Sequence, residues 1–166
     1  MNAWWRIMLV IWLASIGAAA ADDRRAVYGR WASEGSIIEV SDAAGTLSAR
    51  VIALKDPGYL EGEEYGPVGT PRRDDLNPAK ALRTRAILGM ELLTDYEWGD
   101  DQWQGRIYDP ESGKTYSSKM WREGSELHMR GYIGFSLLGR TAVFLPVASC
   151  AANIPLMLEN AELTGC

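Results

Sequence analysis

Twelve residues constrain this chain more than any others: Gly105 to Tyr116, which read Gly-Arg-Ile-Tyr-Asp-Pro-Glu-Ser-Gly-Lys-Thr-Tyr. The run from Trp103 to Tyr108 alternates bulky with polar or small residues and is rich in β-favouring Trp, Ile and Tyr. Asp109-Pro110 opens a type I turn, since proline presets the φ that the turn's second position needs, and Gly113 can leave with φ > 0. A strand, a tight reversal and a returning strand follow, which is a β-hairpin.

The same punctuation recurs along the chain. Val27 to Ser33, Ser36 to Ser41 and Thr46 to Leu54 read as strands separated by Glu34-Gly35 and by Asp42-Ala-Ala-Gly45. Ile87 to Leu93, Thr94 to Trp98, Glu126 to Ile133 and Arg140 to Leu145 supply further extended segments, the last stopped by Pro146. Short strands with Gly or Asp at each reversal describe an all-β, antiparallel barrel of about eight strands. Asp56-Pro57-Gly58 opens a polar, glycine-rich excursion to Asp75, and Asn77-Pro78 ahead of Ala79 to Arg83 predicts one short helix. Beyond Pro146, Pro155 to Leu163 predicts an amphipathic helix whose Leu156, Met157 and Leu158 cover a barrel end, with a loosely held tail as the alternative.

At the N-terminus, Arg6 precedes an apolar run from Ile7 to Ile16 and small residues ending at Ala21. That run is shorter than the ~20 residues a membrane span needs, and Ala19-x-Ala21 fits a leader-peptidase site before Asp22. The domain expectation is therefore a signal peptide over 1–21, a barrel over 22–147 and a C-terminal extension over 148–166, in a periplasmic protein. Removing the leader leaves 16 basic residues against 22 acidic ones, which argues against nucleic acid as a partner. Membrane contact is expected only through the cleaved leader, and nothing in the sequence indicates an oligomeric state. Cys150 and Cys166 are the only cysteines, and in an oxidising compartment they are expected to pair, with two free thiols or an intermolecular link as the alternatives.

Several blocks taken together resemble domain-of-unknown-function family 2147, a family of exported bacterial proteins. They are Gly29-Arg-Trp31, Leu54-Lys-Asp-Pro57, Asp75-Leu-Asn-Pro78 with Arg83-Thr-Arg85 and Leu88-Gly89, Gly105 to Tyr116, and Leu127 to Gly134 followed by Leu138-Gly139-Arg-Thr141. The resemblance spans about Tyr28 to Val147 and implies a lipocalin-like (calycin) barrel with no established activity. Family members often carry a Cys pair where this chain has Ser41 and Ser48. They usually end the last strand in a Trp-Thr-Arg-Val-like sequence, where this chain has Phe144-Leu-Pro-Val147; in lipocalin-like barrels a late-strand arginine often packs on the Gly-x-Trp tryptophan, which Pro146 cannot do. Any closure on Trp31 must then use another residue.

Two Arg-x-Tyr pairs, Arg106 with Tyr108 and Arg130 with Tyr132, lie on expected strands, where period-two geometry puts each guanidinium and phenol on one face. Facing a barrel interior they would form an anion clamp, a forked donor set plus a directional hydroxyl. A simple register of the hairpin puts Tyr116 and Met120 on the face of Arg106 and Tyr108, and Trp103, Ile107, Thr115 and Trp121 on the other. The candidate ligand-binding set is Trp31, Arg106, Tyr108, Tyr116, Arg130 and Tyr132; the alternative is that these residues form solvated faces and ordinary packing. Gly113-Lys114-Thr115 is no phosphate loop, because Tyr108 stands where the first glycine is required. His128, the only histidine, has no second histidine to build a zinc site. The aspartates at 74, 75, 100, 101 and 109 read as turn residues, and the basic run Arg72, Arg73, Lys80, Arg83 and Arg85 reads as a solvated loop.

Two functional readings follow. In the first, the barrel binds a small amphipathic ligand, fatty acid or lipid-like, apolar with an anionic end. In the second, the barrel is filled and the protein is an envelope interaction module working through its 58–86 excursion and C-terminal tail. No cofactor is implied. An enzyme ranks behind both, because no nucleophile, base and orienting group can be assembled from the motifs.

Overall fold

The structure, a computed structural model, describes residues 23–166. The expected leader lies outside them. A helical turn at 23–25 leads into eight strands: β1 (Gly29–Ala32), β2 (Ser36–Ala43), β3 (Thr46–Leu54), β4 (Leu93–Gly99), β5 (Gln102–Asp109), β6 (Lys114–Glu123), β7 (Glu126–Tyr132) and β8 (Arg140–Pro146). One helix, α1 (Ile154–Asn160), follows. The sheet order is β3-β2-β1-β8-β7-β6-β5-β4, antiparallel at every pairing, so the chain meanders except where β1 crosses to β8.

The two edges of this sheet meet and nearly close it. Residues 89–92, expected as a strand, are instead an irregular run joined to β3 by Gly89 N–H to Val51 O, Val51 N–H to Met90 O and Leu92 N–H to Ala49 O at 2.8–3.0 Å. Glu91 completes the seam: its carboxylate accepts the Ala49 N–H at 2.6 Å and the Ser48 hydroxyl at 2.5 Å. A side chain thus supplies an acceptor that a regular strand would have supplied from its backbone. The other seam is short, with only Trp31 opposite Pro146 and Ala32 opposite Leu145. From Arg140 to Phe144 the β1-side edge of β8 has no strand partner among the described residues.

The hairpin from β5 to β6 forms, with Gly113 at φ 66° and Asp109 accepting from the Glu111 N–H and the Ser112 hydroxyl. Its register differs from the simple one. The connection between Asp109 and Lys114 has four residues, an even number, so odd-numbered residues of β5 face even-numbered ones of β6: Trp103 opposite Met120, Gly105 opposite Ser118, Ile107 opposite Tyr116. Met120 and Tyr116 therefore share the face of Trp103 and Ile107, while Arg106 and Tyr108 take the other with Ser117 and Thr115.

The inward face is a continuous core, including Trp31, Ile38, Val40, Ala49, Val51, Tyr96, Met120, Leu127, Met129 and Phe144. Fully burying a side chain such as Leu127 or Met120 contributes about 2–3 kcal/mol. A second, smaller core lies outside the barrel wall. The register slips between Ile37 and Ile38, so Ile38 faces Val51 in the main core while Ile37 and Ala53 turn outward. Ile154, Met157 and Leu158 of α1 cover them. The helix thus packs on the side of the barrel and not over its end, and Leu156 stays exposed. Cys150 and Cys166 are disulfide-bonded, which fastens the tail to this outer core.

Candidate functional site

Trp31 sits at one end of the main core, its indole N–H donating to Val27 O at 2.8 Å. The residue that covers it is Arg122, from the end of β6, with its guanidinium carbon 5.8 Å from the ring centroid. A cation over the indole face keeps the attraction that a late-strand arginine would have supplied. Two open clefts of about 420 Å³ each meet at Arg122, one lined by Val27, Trp98, Asp100 and Trp121, the other by Tyr28, Trp31 and Pro146.

The Arg-x-Tyr pairs do not converge on a cavity. Arg106 is exposed and ion-paired to Asp95 at 2.5 Å. Tyr108, on the same outer face, donates to Asp74 at 2.5 Å and accepts from the Asn77 amide at 3.0 Å. Arg130 spends its guanidinium on the connection from β7 to β8, donating to Ser136 O at 2.8 Å, Leu137 O at 3.2 Å and the Thr141 hydroxyl at 2.9 Å. Tyr132 is half-buried at the end of β7, and Tyr116 faces inward at the rim with its hydroxyl 3.2 Å from that of Ser112. Of the six candidates, only Trp31 and Tyr116 belong to the inner face, and they lie at different levels of the barrel.

A different tyrosine occupies the interior. Gly105, Ser118 and Gly131 are aligned across β5, β6 and β7, a row of small residues on the inner face. Asp95, at φ 55°, opens a bulge in β4 so that two residues face Gly105, Asp95 outward and Tyr96 inward. The Tyr96 ring then lies over Gly105, where a β-carbon would collide with it, and its hydroxyl is hydrogen-bonded to that of Ser118. Burial pushes the Tyr96 hydroxyl up to about 12. No buried side-chain nitrogen or oxygen among the described residues lacks a partner, so no unmet polar group in the interior calls for a ligand.

The excursion is not a loose lid. Asp74 is fully buried and accepts from Tyr108, from the Asn77 amide at 2.7 Å and from Arg85 at 2.7 Å. Burial, with Asp74 beside it, pushes the Tyr108 hydroxyl up to about 12. Tyr59 donates to Asp75 at 2.5 Å, and its hydroxyl too is raised, first by burial and then by that bond. Arg72 reaches Asp56 O and Glu63, and Arg83 reaches Asn77 O. The basic run expected to be solvated thus includes three arginines that fasten the excursion internally. Asp74, expected as a turn residue, is its anchor against β5. His128 stacks on Trp121 at 5.3 Å with Glu123 and Glu126 nearby, and no cluster of three or more metal-ligating side chains occurs among the described residues.

Sequence reasoning passed over the connection from β7 to β8. Ile133, Phe135, Leu137 and Leu138 stand 70–87% exposed there, at the end of the barrel opposite Trp31. The signal was present, four large apolar residues in six positions bracketed by Tyr132 and Gly139, but an apolar run beside a strand reads as more strand.

Among solved structures, a Helicobacter pylori protein described as "Protein HP1028 from the human pathogen Helicobacter pylori belongs to the lipocalin family" is similar in fold. It is 20% identical, with a TM-score of 0.57 over 82% of this chain and 89% of that one. No curated protein matches the sequence. The profile of the family described as "Uncharacterized protein conserved in bacteria (DUF2147)" matches residues 29–145, which takes in all eight strands but for the last residue of β8. With a lipocalin-like barrel of eight antiparallel strands beneath that match, the chain belongs to the DUF2147 family of bacterial proteins.

Proposed function

We propose that this protein is an exported module of the bacterial cell envelope that works through its outer surface, its barrel serving as a filled scaffold. The observation that carries this reading is the Tyr96 ring lying inside over Gly105, with its hydroxyl bonded to that of Ser118. A small barrel either fills its interior with side chains or holds a ligand, and here a bulge in β4 delivers the filling side chain. The groups expected to clamp an anion inside are engaged outside it, Arg106 with Asp95 and Arg130 with the β7–β8 connection.

Native mass spectrometry of protein recovered from its own cell envelope tests this. The expected spectrum shows the bare chain, and a fluorescent fatty acid shows no saturable uptake. A stoichiometric small apolar adduct, displaceable by that probe, would reject the filled-scaffold reading. It would favour the second one, a small apolar ligand with an anionic end held at the rim. That reading is supported by the register, which aligns Arg140 with Gly131 on the inward face beside Tyr116. Loss of the adduct in Arg140→Ala would then locate it.

A further inference from the structure

The connection from β7 to β8 carries its four large apolar side chains into solvent, although it ends a barrel whose core is well filled. A patch of this kind on a lone chain marks an interaction site. Three observations bear on what it meets. First, charge: the chain holds 22 acidic residues to 17 basic, yet no Asp or Glu occurs between Glu126 and Glu159. Within that acid-free stretch the hairpin offers only Arg130 and Arg140 as charges, both at the base of the apolar tip. Second, Arg140 is exposed and makes no ion pair or side-chain hydrogen bond among the described residues.

Third, the tip carries a few bonds of its own. Leu138 N–H bonds Phe135 O, Gly139 N–H bonds Ser136 O, and Arg130 donates to Ser136 O and Leu137 O. Tyr132 at the junction of apolar tip and charged base is the residue type that favours the headgroup level. We infer that this hairpin docks the protein on an anionic lipid surface, with Ile133, Phe135, Leu137 and Leu138 entering the interface and Arg140 meeting headgroup phosphates. This rests on the reading that the protein works through its outer surface, and it extends membrane contact beyond the leader that the sequence suggests.

The test is co-flotation of protein, expressed from its full sequence and recovered in soluble form, with vesicles of phosphatidylcholine alone or with one third phosphatidylglycerol. A leader, if retained, is common to all variants, so differences report on the hairpin. Binding is expected on the anionic vesicles and about fivefold weaker on the neutral ones, the attraction of about 1 kcal/mol that one arginine near an anionic surface contributes. Phe135→Ser with Leu137→Ser should lower anionic-vesicle binding about tenfold or more with the thermal transition unchanged, since both side chains are solvated. Arg140→Glu should abolish the preference for anionic vesicles. Failure of the wild type to float, equal binding to both vesicle types, or unchanged binding of the double variant would each overturn the proposal. So would a dimer in sedimentation velocity that the double variant loses, which would assign the tip to a second copy. None of these outcomes touches the filled-scaffold reading, which the mass spectrum decides separately.

Discussion

Asp74 is a carboxylate with no exposure, and three donors converge on it: the Tyr108 hydroxyl, the Asn77 amide and the Arg85 guanidinium. Arg85 is itself 41% exposed, so the ion pair is partly screened and the neutral donors carry much of the arrangement. Asp74→Ala strands the Asn77 amide and the Tyr108 hydroxyl without their acceptor, and leaving buried donors unpaired costs about 1–3 kcal/mol each. We expect a loss of about 2–4 kcal/mol in urea denaturation, against about 1 kcal/mol for Tyr108→Phe, and a double variant less destabilised than the two losses added. Additive losses would show that the two residues act separately. The anchor was half legible in sequence. Asp75-Leu-Asn-Pro78 and Arg83-Thr-Arg85 stood out as blocks, but turn chemistry is local and the partner, Tyr108, is 34 residues from Asp74.

Hairpins were legible because their determinants are local: a proline, a glycine, an aspartate at fixed offsets. What local chemistry could not supply was parity. A connection of four residues between Asp109 and Lys114 decides which face each later side chain takes, and a one-residue difference reverses every assignment on β6. Bulges act in the same way; the one at Asp95 and Tyr96 and the slip near Ile37 each redirect a side chain that simple alternation misassigns. The slip near Ile37 creates the outer patch that α1 covers, and the disulfide between Cys150 and Cys166 holds the segment carrying that helix in place. Its sequence separation of 16 corresponds to about 3 kcal/mol of loop-closure entropy. In the double variant Cys150→Ser with Cys166→Ser, amide exchange should accelerate within residues 147–163 while the protected amides of β5 to β7 keep their rates. Uniform acceleration through the barrel would mean that the tail and the barrel unfold as one unit.

At the scale of the whole molecule, two tyrosines on opposite sides of the same wall tie stability to pH. Tyr96 inside and Tyr108 outside both have hydroxyls pushed up to about 12, Tyr96 by burial and Tyr108 by burial reinforced by Asp74. A group whose folded pKa is raised keeps its full contribution below the unfolded value, near 10, and loses it as pH rises toward the folded value, because only the unfolded chain releases the proton in between. Stability is therefore expected to be insensitive to these groups below pH 10 and to fall steadily from about 10 to 12. The absorbance of phenolate at 295 nm should show Tyr96 and Tyr108 ionising late, beside Tyr59, whose hydroxyl is also raised, with the loss of the Tyr96–Ser118 and Tyr108–Asp74 bonds. Tyr108→Phe should remove one late titration and flatten the alkaline decline. It should leave Tyr96 titrating late, since burial and not the excursion holds that hydroxyl. If the late titration of Tyr96 vanishes together with that of Tyr108, the excursion and the barrel interior form a single cooperative structure, and the filled scaffold depends on the latch that Asp74 makes across its outer face.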